Sequence, residues 1–243
     1  MEKTIPIKVI IILGSGPNAT KFKDMDKNGI DHIIAINNAW KISSNWDELI
    51  YPEDFPISRR PYTNLESKKL TSADTYVDAQ NEYGGFVYAG GTMAFTAGYY
   101  ALSRYKPKTI AFIGCDMVYP EKGKTHFYGN GSADPLRDDI TLQCLEAKAT
   151  RLLVHAAKQG CSLVNLSNEK SRLTFPRANI TQIKKPIETI KWSSFYEKAA
   201  LKLEKKLNYF IKSGEYWKHQ HIFDKSNLAK IDQLWLNCIN EQN

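Results

Sequence analysis

The apolar positions of this chain fall into short unbroken runs separated by stretches of helical spacing. Lys8 to Leu13 and then Ile33 to Ile36, within "IDHIIAINNAW", read as two buried strands, and the helix-compatible stretch Asn18 to Asn28 lies between them. The rhythm recurs further on. "GGFVYAGG" is expected to end a short strand near Tyr88, "TMAFTAGYYALSRY" to form a helix of small and aromatic residues, and "TIAFIGCDMVY" to form another buried strand. After a polar loop, "DDITLQCLEAKATRLLVHAAKQG" has the amphipathic spacing of a long helix that stops at Gly160, and "CSLVNLS" closes as a further strand. Runs without alternation belong to strands covered on both faces, so the pattern predicts an α/β fold, a Rossmann-like and mostly parallel sheet with helices on both faces.

Two segments break the rhythm. Trp46 to Gly85 is rich in Pro, Ser, Asp and Tyr and is expected to supply loops and short elements over the ligand side. From about Pro186 the composition turns to Lys, Leu and aromatics, with helical spacing at Phe195, Ala199, Leu203, Leu207 and Phe210. The expected organisation is a Rossmann-like domain over 1–185 and a C-terminal helical appendage of about two helices over 186–243.

Composition narrows the function classes. The 243 residues are 42% hydrophobic and 24% charged, as in a folded protein, and no apolar run reaches the roughly 18 residues that span a bilayer. Ile5 to Leu13 is read as a strand rather than a signal-peptide core, because Lys8 interrupts it and a Gly-Pro turn follows where a cleavage site would be. Four cysteines without paired spacing argue against a disulfide framework and a zinc site, so a cytoplasmic location is expected. The net charge of +7 suits an acidic partner: a nucleotide, an anionic glycan, nucleic acid or a membrane surface. Nucleic acid fits least, since the lysines are scattered along the sequence and no recognisable module is present. The lysines and aromatics of the appendage, Trp192, Phe195, Tyr209, Phe210 and Trp217, suit contact with an anionic membrane surface such as the inner membrane, or with an acceptor, or else a helical cap packed on the core.

Candidate chemistry begins with Gly14-Ser15-Gly16-Pro17-Asn18-Ala19, a loose G-x-G-x-x-A turn after a strand. The glycines permit a tight turn and a close approach, and a helix starting at Pro17 would aim backbone N–H groups at a phosphate; a turn serving only connectivity is the alternative. Where an NAD site needs an acid, the second strand ends in Asn37 and Asn38, which argues against a dehydrogenase. Gly123-Lys124-Thr125 is no Walker motif, because Val118 stands where its first glycine belongs. Gly90-Gly91-Thr92 offers a second glycine-led helix start, for an anion or for simple capping. The loop after "TIAFIG" collects Asp116, Tyr119, His126, Tyr128, Asp134, Arg137, Asp138 and Asp139, and in it His126 is either a general base or a structural histidine. His155 reads as core or surface, and Asp24-Met25-Asp26 as a poor metal site.

The order "IILGSGPNA", "IAINNAW" and "ALSRYKPKTIAFIGCDMVY" resembles the bacterial sialyltransferases of glycosyltransferase family 42. The wider superfamily includes flagellin-glycosylation accessory proteins and a pterin pyrophosphokinase. The resemblance runs from about Val9 to Leu166. It implies a metal-independent transferase that moves a sialic-acid-like sugar from a cytidine monophosphate (CMP) donor to a glycan or lipid-linked glycan acceptor, as in lipopolysaccharide or capsule synthesis, with no cofactor. By position, Gly14, Ser15, Gly16, Asn37 and Asn38 would meet the donor phosphate and ribose. Gly91 and Thr92 would face the sugar carboxylate, Gly114 and Asp116 the cytosine, and Tyr119 and Tyr128 the leaving group. The family's catalytic histidine ends a pattern like "HFYGN", where this chain has Asn130, so His126 is the expected base. A magnesium-dependent phosphotransferase and a non-catalytic nucleotide-binding accessory protein are the rival readings.

Overall fold

Residues 8–62, 66–119, 122–130 and 137–240 are described by the computed structural model of the chain. Its strands are β1 (Val9–Leu13), β2 (His32–Ile36), β3 (Glu48–Ile50), β4 (Lys69–Thr71), β5 (Thr109–Ile113) and β6 (Ser162–Asn165). They pair in parallel as one sheet in the order β4-β3-β2-β1-β5-β6. All five residues of β1 are buried, because both faces are covered and no position is left for a polar side chain. Ile10 and Ile12 pack beneath α1 (Ala73–Asn81), α3 (Met93–Tyr105) and α4 (Leu145–Lys158), with Phe95, Tyr99, Phe112 and Leu152. Ile11 and Leu13 face the other way, onto Phe22, Trp46, Phe55 and Ile183. This is a Rossmann-like α/β sheet whose second face is covered by 3-10 turns, Pro17–Asp24 and Asn37–Lys41 among them, rather than by α-helices.

Three sequence expectations change. The helix expected over Asn18 to Asn28 is the 3-10 helix Pro17–Asp24; its two buried residues, Ala19 and Phe22, are three apart, the spacing that a three-residue turn stacks on one side. "FVYA" is not a strand but α2 (Phe86–Ala89), a single turn bracketed by Gly85 and Gly90 at φ values of 82° and 92°. Tertiary burial overrides its strand-like composition: the Tyr88 hydroxyl donates to the Glu204 carbonyl and accepts from the Tyr209 N–H. The helix expected from Asp138 begins only at Leu145, after the 3-10 turn Ile140–Leu142, which Asp139 caps by accepting from the Thr141 N–H.

The C-terminal helices, α5 (Ser194–Leu207) and α6 (Lys225–Asn240), share a buried cluster with α2 and α4 that includes Val87, Ala147, Val154, Ala200, Leu228 and Trp235. Two buried ion pairs cross this seam. Arg151 donates to Glu204 through Nε and Nη2 at 2.9 and 2.8 Å, and Lys148 meets Asp232 at 2.9 Å. Such pairs add little net stability but are costly to break, so they hold one register between α4 and its partners. His155 belongs to this core, edge-on to Tyr83 and Tyr99 and tilted against Trp235, and its burial, with Arg151 and Lys158 adding to it, holds its pKa well below the usual imidazole value.

Candidate functional site

The chain leaves β1 toward β2 on one side and returns through α3 to β5 on the other. Parallel sheets open a crevice at such a reversal, outside the carboxyl ends of the strands. Here the crevice is a cleft of about 890 Å³. Its floor is glycine. The Gly14 N–H donates to the Ile113 carbonyl and the Gly16 N–H to the Gly114 carbonyl, each at 2.8 Å. A methyl group built on Gly14 would collide with the Gly114 carbonyl oxygen, and one on Gly114, at φ 69°, would lie 2.5 Å from the Ala19 Cβ. The glycines therefore bring two strand ends into backbone contact, and the Gly16 N–H is used in that contact.

The same turn recruits the polar loop. The Phe127 N–H donates to the Ser15 carbonyl at 3.0 Å, while His126 and Gly129 exchange backbone hydrogen bonds at 3.0 and 3.1 Å around a tight reversal. Phe127 is thereby anchored against the second core cluster, and His126 and Tyr128 line the cleft with their rings stacked 4.9 Å apart. The Tyr119 ring lies 6.0 Å from the imidazole, tilted against it. His126 Nδ1 lies 2.9 Å from Oγ1 of the buried Thr125. If Nδ1–H donates to that hydroxyl, Nε2 keeps its lone pair and is able to accept a proton.

A third wall comes from β2. Asn37 takes the left-handed conformation, φ 52°, which asparagine tolerates, and starts a 3-10 turn at the strand end. The carboxamide oxygens of Asn37 and Asn38 are buried and accept no hydrogen bond among the described residues, although both side chains line the cleft and Asn38 is only 5% exposed. Buried acceptors without donors are rare, and two in one cleft mark a place where a ligand's N–H or O–H groups fit.

The fourth wall joins α3 to the C-terminal part. Thr92 caps α3 by accepting from the Phe95 N–H. Gly91 leaves room for neighbours, since a methyl group there would meet Thr141 Oγ1 at 2.5 Å and the Tyr216 hydroxyl at 3.0 Å. Tyr216 donates to Asp139 at 2.9 Å, and Arg137 donates to both. Burial alone would raise the Asp139 pKa, but the donors Thr141 and Tyr216 and the charge of Arg137 bring it below the ordinary carboxylate value. Burial and the Asp139 charge push the Tyr216 phenol up to about 12. Outside this wall the rim carries Glu53, Asp54, Arg59, Asp138 and the half-exposed Trp217.

Of the sequence-predicted residues, the cleft unites Gly14, Ser15, Gly16, Asn37, Asn38, Gly91, Thr92, Gly114, Tyr119, His126 and Tyr128. Asp116 does not line it: its carboxylate accepts from Asn18 at 2.6 Å and from Asn165 at 2.9 Å, in a polar cluster with Arg177. Asn130 does not line it either, and Asp134 lies outside the described residues. Sequence reasoning missed Tyr216 and named Trp217 only as an aromatic of the appendage; the C-terminal segment brings both to the cleft from far along the chain, and no local motif places them there. No family model and no curated protein matches the chain. Among solved structures, the monofunctional alpha-2,3-sialyltransferase Cst-I from Campylobacter jejuni is similar with a TM-score of 0.34 and 13% identity, over 85% of this chain and 99% of that one. A likeness this slight says nothing about chemistry.

Proposed function

We propose that the protein is a glycosyltransferase that moves a sialic-acid-like sugar from a CMP donor to a glycan acceptor without a metal. The observation that carries the reading is one cleft in which His126, flanked by Tyr119 and Tyr128, meets the unsatisfied Asn37 and Asn38 oxygens. The acceptor hydroxyl attacks the anomeric carbon, its proton passes to His126 Nε2, and the bond from that carbon to the phosphate oxygen breaks with its electron pair. The tyrosine hydroxyls donate to the departing phosphate, and Asn37 and Asn38 accept from the hydroxyl or amino groups of the nucleoside.

A thermal-shift series with cytidine, uridine, guanosine and adenosine monophosphates tests the donor, since a ligand that binds only the folded state raises Tm. CMP is expected to stabilise most. Asn37→Asp adds a negative charge to a cleft that must also hold the donor's phosphate and is expected to weaken CMP binding about fivefold or more in calorimetry, a repulsion on the order of 1 kcal/mol. Equal shifts with all four nucleotides would refute the cytidine assignment. The rim carboxylates Glu53, Asp54 and Asp138 favour a second reading, magnesium-dependent phosphoryl transfer, because magnesium is held by one or two carboxylates together with substrate phosphates. Turnover that requires added magnesium would decide for it.

A further inference from the structure

The lysines that look scattered along the sequence come together on the outer face of α5. Phe195, Lys198, Lys202, Lys205 and Lys206 all point to solvent and, at 3.6 residues per turn, fall within an arc of about 100°. Phe195 is 73% exposed. Both glutamates of the helix lie on the opposite, buried face: Glu197 accepts from Lys158 and from Trp192 Nε1, and Glu204 from Arg151 and Trp235. An ordinary solvated helix face mixes charges, with Glu and Lys four apart supporting one another. Here the acids are withdrawn into the core, and among the described residues none of the four lysines has an ion-pair partner.

We infer that this face of α5 binds an anionic lipid surface. The occupant follows from charge and shape together. A convex lysine stripe complements a plane of negative headgroups, and a protruding phenyl ring in line with the lysines enters the headgroup boundary, where an apolar side chain gains by leaving water. A nucleic acid would use the same charge, and the test below separates it from a lipid surface. No described helix is long and apolar enough to cross a membrane, so the contact is with a surface. After Asn208 the chain runs directly into the segment Ser213–Gln220 that walls the cleft, which places a lipid-bound α5 one short connection from the site. The inference stands apart from the catalytic reading, because binding is measured without turnover.

The test is co-sedimentation of the full chain with vesicles made of equal parts phosphatidylglycerol and phosphatidylcholine, beside vesicles of phosphatidylcholine alone. The wild type is expected to pellet with the anionic vesicles only, and less as salt is raised. K198E/K202E/K205E, on a solvent face and so without effect on Tm, is expected to lower vesicle affinity by roughly 100-fold or more. Phe195→Ser is expected to weaken binding with the charge unchanged. Equal pelleting of the triple variant and the wild type would overturn the inference. So would equal pelleting with both vesicle types, or a preference for duplex DNA over anionic vesicles that the triple variant abolishes.

Discussion

At the residue scale the site depends on one imidazole and on the groups that set its orientation. His126→Ala is expected to lower the rate by roughly 10²- to 10⁴-fold with donor affinity nearly intact, because in the proposed mechanism the ring acts on the acceptor hydroxyl. Thr125→Val removes the hydroxyl 2.9 Å from Nδ1 and is expected to cost about tenfold in kcat with KM unchanged, the worth of one hydrogen bond that holds the tautomer. A proportional rise in KM instead would make Thr125 a substrate contact. Gly114 is a different kind of residue. Gly114→Ala must fit a methyl against Ala19 at φ 69°, and a loss of about 2 kcal/mol, read as a fall in Tm of roughly 5 °C, is expected. Gly114 and His126 were legible as candidates in the sequence because a glycine between a strand and a turn, or a histidine in a strand-end loop, carries its reason locally; Thr125 was not, because nothing in the spacing pairs it with the ring. Asp116 looked equally eligible, yet its neighbours Asn18 and Asn165 come from the 3-10 helix after β1 and from the end of β6, and no spacing announces that they engage it.

At the scale of elements, the strands were legible and the helices less so. An unbroken aliphatic run admits few readings, and β1, β2, β5 and β6 lie where the runs stand. Phe86–Ala89 misled because Phe, Val and Tyr suit a strand, while the decision was made by Glu204 and Tyr209, more than a hundred residues away. That same seam gives a testable element. Arg151→Met leaves Glu204 buried without its cation and is expected to cost about 3–5 kcal/mol, whereas R151M/E204Q should recover part of the loss. Urea unfolding of the two variants measures the difference. If both were as stable as the wild type, the pair would not hold α5 to α4.

The whole molecule separates stability from chemistry between the two ends of its sheet. Opposite the cleft, Glu48 opens β3 fully buried. Burial alone would raise its pKa, but hydrogen bonds from His32, Thr71, Tyr105 and Tyr100 outweigh that and hold it at about 2, below the ordinary 4.5. A carboxylate depressed in the folded state stabilises the fold above its unfolded pKa and loses that contribution as pH falls through the folded one. Glu48 is therefore worth on the order of 3 kcal/mol at neutral pH, fading between about 4.5 and 2. Glu48→Gln should melt lower than the wild type at pH 7, and the gap should close in acid. At the carboxyl end, the glycine floor, the asparagines, the imidazole and the tyrosines meet in one cleft, and the central claim is that this cleft cleaves a CMP-activated sugar. Phosphorus NMR of CMP-activated sialic acid, with water standing in for the acceptor and a chelator present, tests it most directly. The account predicts that CMP accumulates with the wild type and forms at least about 100-fold more slowly with His126→Ala. No CMP from the wild type, or equal release from both proteins, would contradict it.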